Sequence, residues 1–136
     1  MDHDTFIGQV QARAHLDSRG SAEVATRATL ETLGERIPAS LADNLAAQLR
    51  REIGEHLRRV ATAPDQPATG IRMDYGTFID RVAERAGADR AKATHEARTV
   101  MELVGEATQG VTDKVRQSLD DELARVLFAG STGGIT

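Results

Sequence analysis

The sequence predicts an all-α fold: a compact helical bundle of two tandem three-helix repeats related by approximate two-fold symmetry. Three observations carry this. Residues 5–14 read TFIGQVQARA and residues 77–86 read TFIDRVAERA, so one stretch occurs nearly twice. Apolar residues recur every fourth position at 41, 45, 49, 53 and 57, and again at 111, 115, 119, 123 and 127. The chain has three Phe, one Tyr and no Trp, so its core is left to Leu, Val, Ile and many alanines. Ala is the best helix former, and small side chains let helix axes approach closely.

The duplication extends along most of the chain. Placing residue 5 on residue 77 matches Thr5/Thr77, Phe6/Phe78, Ile7/Ile79, Val10/Val82, Arg13/Arg85 and Ala14/Ala86, and continues to Asp17/Asp89. The first copy then carries two extra residues near Ser18-Arg19-Gly20. Beyond them the offset falls from 72 to 70, pairing Leu33 with Leu103, Asp43 with Asp113, Leu49 with Leu119 and Glu52 with Glu122. A helix junction is where a duplicated unit tolerates an insertion.

In the first helix of each copy, Phe6, Ile7, Val10 and Ala14, and then Phe78, Ile79, Val82 and Ala86, share one face. Asp2 and Asp74 suit N-caps, with Thr5 and Thr77 as competitors. The second helix runs from about Ser21 to Arg36, with Val24, Ala28, Leu30, Leu33 and Ile37 as its apolar stripe. Its counterpart, about Arg90 to Thr108, turns Ala97, Val100, Met101, Val104 and Ala107 inward. Asp17 and Asp89 precede these helices, where an acidic cap suits the positive dipole end. The third helix opens at IPASLADNL, with Pro38 at its start and Ser40/Asp43 resembling a capping box.

The expected organisation is a first repeat at 1–61, a linker at 62–72, a second repeat at 73–128 and a flexible tail at 129–136, forming one compact domain. TAPDQPATG, residues 62–70, holds two of the three prolines and lacks apolar periodicity. The tail GSTGGIT is glycine-rich and expected to fray.

The net charge is −4 with both signs interspersed, which argues against general affinity for nucleic acid or anionic membrane. The absence of Cys excludes disulfides and thiolate chemistry. No apolar run approaches the ~20 residues that span a bilayer. MDHDTFIGQV lacks the basic and apolar regions of a signal peptide, so a soluble, cytoplasmic chain is expected.

FIGQVQARA, ATRATLETLGERI and LAAQLRREI resemble the DUF2267 family, bacterial helical proteins with an internal duplication. The resemblance spans about Phe6 to Phe128. It implies the fold and brings no established activity, substrate or catalytic residue. The family's usual Leu-Pro in the third-helix segment is replaced here by Leu49-Arg50 and Leu119-Asp120. Loss of a proline removes a helix break, so a straighter, longer third helix is expected.

No catalytic, cofactor-binding or metal-ligating residue is assigned. His3, His15, His56 and His95 offer no pair at i, i+3 or i, i+4, and THEAR around His95 lacks the second histidine of HExxH because residue 99 is Thr. Asp120, Asp121 and Glu122 are adjacent, so as helix neighbours they point apart. GxSxG is absent. The strongest basic feature is RREIGEHLRR, whose Arg50, Arg51, Arg58 and Arg59 form a candidate interaction surface. The second copy opposes a phosphate-binding role, since Asp120 and Asp121 stand where Arg50 and Arg51 do. Arg13/Arg85 and Glu52/Glu122 are charges shared by both copies and border the apolar stripes. Structural ion pairs Arg13–Glu52 and Arg85–Glu122 are therefore expected where the first helix meets the third.

The function expected is a non-enzymatic, cytosolic bacterial accessory or protein-interaction module that binds an unknown protein partner or itself. An exposed apolar patch would strengthen this reading. The alternatives are a nucleic-acid-associated protein using Arg50–Arg59, and a small-molecule binder or enzyme with a pocket between the repeats. No cofactor is implied.

Overall fold

The computed structural model describes residues 1–132. Among them it is all-helical: α1 (His3–Arg13), α2 (Arg19–Arg36), α3 (Ala39–Ala47), α4 (Arg51–Ala61), α5 (Tyr75–Ala86), α6 (Arg90–Ala107), α7 (Val111–Ser118) and α8 (Asp121–Leu127). None of these helices is long and apolar enough to cross a membrane.

Two helices of 18 residues, α2 and α6, pack together at the centre. The other contacts are reciprocal. Helix α1 lies on α2 and also touches α6, whereas α5 lies on α6 and also touches α2. Helices α4 and α8 cover α2 and α6, and α3 meets α7. Phe6, Ile7 and Val10 of α1 and Phe78, Ile79 and Val82 of α5 are buried in one core that includes residues of all eight helices.

Capping follows the sequence at three of five starts. Asp2 accepts from the Thr5 amide at 2.7 Å, Asp74 from Thr77 at 2.8 Å and Asp89 from Lys92 at 2.8 Å. Helix α2 differs. Its cap is Ser18, with extended backbone and a hydroxyl that accepts from the Ser21 amide at 3.0 Å; Asp17 accepts only from the Ser21 hydroxyl. Ser40 caps nothing, because α3 starts behind Pro38 without a side-chain cap. Asp43 lies inside α3 and pairs with Arg58.

The Ser18 cap moves the register of α2 on α6 by one residue. Ser18 matches Asp89, an offset of 71, and burial agrees: Ala22/Ala93, Leu30/Met101 and Leu33/Val104 are all buried. This register also aligns Arg27 with Arg98, Glu31 with Glu102, Gly34 with Gly105 and Glu35 with Glu106. Pairing Leu33 with Leu103 places the two helices one residue out of phase.

Each half holds four helices rather than three, and the long third helix does not form. The helix stops at Gln48 and resumes after Arg50, then stops at Leu119 and resumes after Asp120. Arg50 (φ −56°, ψ 146°) and Asp120 (φ −68°, ψ 159°) take backbone angles a proline adopts, although neither is proline. The cause lies in the apolar spacing. A repeat of four drifts about 40° around a helix at each step, so an unbroken stripe rotates off the core. Breaking the helix re-aims it, and Leu45, Leu49, Ile53 and Leu57 are all buried, as are Val115, Leu119, Leu123 and Leu127.

The segment at 62–72 is irregular but fastened to the end of α2. Ile71 N–H donates to the Glu35 carbonyl at 2.7 Å, the Gln66 amide donates to the same carbonyl at 2.8 Å, and Ala39 N–H donates to the Ala68 carbonyl at 2.8 Å. Gly70 (φ +81°) passes so close to the Arg36 carbonyl that an added Cβ would lie 2.4 Å from it. The described part of the tail is also tied down. Gly130 carbonyl accepts from Arg98 Nε at 3.1 Å, and Ser131 hydroxyl donates to Glu102 at 2.6 Å. Residues 133–136 of the expected flexible tail lie outside the described residues.

Candidate functional site

Arg13 and Arg85 border the core as the sequence indicates, but their partners are not Glu52 and Glu122. Arg13, in the last turn of α1, donates to Glu102 at 2.8 Å and to Glu106 at 2.6 and 3.0 Å. Arg85, in the last turn of α5, donates to Glu35 at 2.7 Å and to the Thr32 hydroxyl at 2.8 Å, with Glu31 at 3.4 Å. Each arginine thus reaches the long helix of the other half. Glu52 and Glu122 are exposed in the first turns of α4 and α8, directly after the breaks. The identities Glu31/Glu102 and Glu35/Glu106 at offset 71 are the signal that points to the true partners.

These clusters are electrostatically matched. Glu106 foremost, then Glu102, holds Arg13 more firmly protonated than usual. Burial raises the Glu102 carboxyl, but hydrogen bonds from Ser131 and Arg13 outweigh it and leave the group below its ordinary value. Glu31 and Glu35 are each 14% exposed, and Arg59 and Arg81 add 2.8 Å contacts to them.

The basic segment is divided. Arg58 pairs with Asp43 at 3.0 Å and Arg59 with Glu31 at 2.8 Å, while Arg50 and Arg51 are exposed. Glu52 and Glu55 are exposed among them. The four arginines therefore do not present a single cationic face.

The four histidines meet as two pairs that sequence spacing does not show. His15 and His95 rings lie 6.3 Å apart and nearly parallel, and His3 and His56 line one cleft with Glu23. Burial, with Arg59 adjacent, pushes the His56 imidazole down. Among the described residues no group of three or more His, Asp or Glu is placed to hold a metal ion. Glu96 is buried, with one carboxyl oxygen lacking a hydrogen-bond partner, and burial raises its pKa.

A further cleft lies where the end of α2 meets the entry to α5 and the α7–α8 break. Arg36, Arg72, Met73, Asp74 and Asp120 line it. Arg36 is 5% exposed; one Nη donates to the Ser118 carbonyl at 3.0 Å, and its buried Nε has no partner. Burial lowers the Arg36 pKa, and Asp120 opposes the effect through space. Sequence reasoning missed this residue because a helix-terminal arginine is ordinarily exposed.

A family model described as an uncharacterized conserved protein, DUF2267, matches residues 3–126. No curated protein matches the chain. A match over nearly the whole length, on a chain that is all-helical among the described residues and has its core positions filled, shows the family: the chain belongs to DUF2267.

Proposed function

We propose that this chain is a non-enzymatic accessory or interaction module of the bacterial cytosol, built from two copies of one helical unit at 1–61 and 73–128. The reciprocal contacts of α1 with α6 and α5 with α2 support the two-copy reading. The observation that carries the non-enzymatic reading is dispersion. Arg36 and His56, whose titration burial shifts, line different clefts, and neither cleft includes Glu96. Acid–base catalysis needs such groups to converge on one reacting atom.

Met1 is the one large apolar side chain exposed among the described residues, so the surface does not offer the apolar patch expected of a stable docking face. Partner binding by this chain is then polar and sensitive to salt. Affinity purification from the native host at low ionic strength, with a salt wash and mass spectrometry, tests it. A specific partner released by salt supports the reading; no partner at any ionic strength opposes it. The nucleic-acid alternative is disfavoured because Arg58 and Arg59 are occupied by Asp43 and Glu31. Salt-sensitive gel shifts with DNA or RNA would restore it.

A further inference from the structure

We propose that the Arg36 cleft binds a small zwitterion carrying a carboxylate and an ammonium group, of amino-acid size. Two cations, Arg36 and Arg72, and two carboxylates, Asp74 and Asp120, surround one space. Opposite charges this near ordinarily pair, yet none of the four forms an ion pair with another. Arg36 is the decisive member. Its guanidinium is desolvated, its one hydrogen bond goes to a neutral carbonyl, and its Nε–H is left over. A buried cation without a counter-ion is costly, and a carboxylate at the Nη that Ser118 does not occupy relieves it.

The acids select the class of ligand. Asp74 spends one oxygen on the Thr77 amide, but Asp120 makes no side-chain capping bond and no ion pair, so its carboxylate is available to an ammonium. The two acids repel a phosphate dianion and tolerate a molecule of zero net charge. A volume of about 220 Å³ is below the range of drug-sized pockets and fits a molecule of this size.

The matched place in the other half acts as an internal control. There Met1, Gln48, Leu49, Arg50 and Ala107 line a cleft, and Ala107 stands where Arg36 does at offset 71. The long helix therefore ends equally well without an arginine, so helix formation does not account for Arg36. The inference is independent of partner binding, and either can fail alone.

The test is a titration of the full-length ¹⁵N-labelled protein with L-alanine, acetate, ethylammonium and inorganic phosphate. Alanine is expected to shift the Arg36 Nε–H and the amides of Met73, Asp74, Leu119 and Asp120 along one saturable curve, with a dissociation constant of about 1 mM. Acetate and ethylammonium, each half of the ligand, bind about tenfold more weakly. Arg72→Gln changes an exposed residue and leaves the fold intact; it weakens alanine about tenfold, as does Asp120→Asn, which leaves acetate unweakened. Arg36→Gln, checked for folding by circular dichroism, abolishes the shifts. Absence of a saturable shift, phosphate binding tighter than alanine, or alanine shifts unchanged in both Arg72→Gln and Asp120→Asn would overturn the proposal.

Discussion

Gly34 and Gly105 occupy matched positions in α2 and α6, yet alanine at the two is expected to act in opposite directions. At Gly34 an added Cβ would lie 2.8 Å from the Leu57 carbonyl oxygen and 3.4 Å from Leu57 Cα. Leu57 is fully buried in α4, so relief requires the α4 backbone to move away from α2. Such overpacking costs about 3 kcal/mol where backbone must shift. Replacing Gly by Ala within a helix returns about 1 kcal/mol. Gly34→Ala is therefore expected to lose about 2 kcal/mol, lowering Tm by roughly 6–10 °C. At Gly105 a Cβ meets nothing within 4 Å, so only the same helix gain remains, about 1 kcal/mol. Urea unfolding followed at 222 nm measures both, with an unchanged slope confirming that stability alone has moved. Equal stabilisation by the two substitutions would refute the close approach of α2 and α4.

Asp120→Pro is expected to stabilise by about 0.4–1 kcal/mol, since proline fits the angles of Asp120 and the extended Leu119 before it; destabilisation in urea would show that the break is not as described. The carboxylates of Asp2 and Asp74 are held below their ordinary value chiefly by the amides of Thr5 and Thr77. Their stabilisation is complete above the unfolded value of 3.8 and fades as pH falls through the lower folded value, so stability declines in acid below about pH 4. Asp74→Asn keeps an acceptor for Thr77 and removes that titration, so its urea midpoint falls less between about pH 5 and about pH 3 than the parent's; identical acid slopes would contradict the assignment. Burial raises the Glu96 carboxyl, which favours its protonated form; Glu96→Gln is expected to raise the urea midpoint at neutral pH, where the ionised form is the costly one.

The sequence made some features plain and concealed others for physical reasons. Phe6/Phe78 and Val10/Val82 were legible because a buried helix face needs apolar residues at helical spacing, and α1 and α5 both bury them. The phase of α2 on α6 was obscured by Leu33 and Leu103, a pair of identical residues one position out of register. Capping decides that phase, and Ser18 competes for it with the adjacent Asp17. The breaks at Arg50 and Asp120 lacked a proline to announce them, although the drift of the four-residue stripe already required the core face to be re-aimed. For Arg13, position on the core border was readable, but Glu102 lies 89 residues away and only the correct register brings it forward. Arg36 is a residue whose sequence context is ordinary; its guanidinium is tied to the Ser118 carbonyl at the end of α7, far away in sequence.

Reciprocal arginines that bind the two halves into one unit are most directly tested by a double-mutant cycle between Arg85 and Glu35, using Arg85→Met and Glu35→Gln with urea unfolding at low salt. Glu35 is 14% exposed and the contact is 2.7 Å, so a coupling of about 1–2 kcal/mol is expected. The same cycle between Arg85 and Glu122 is expected to give none. Zero coupling to Glu35 together with a measurable coupling to Glu122 would contradict the exchange between halves.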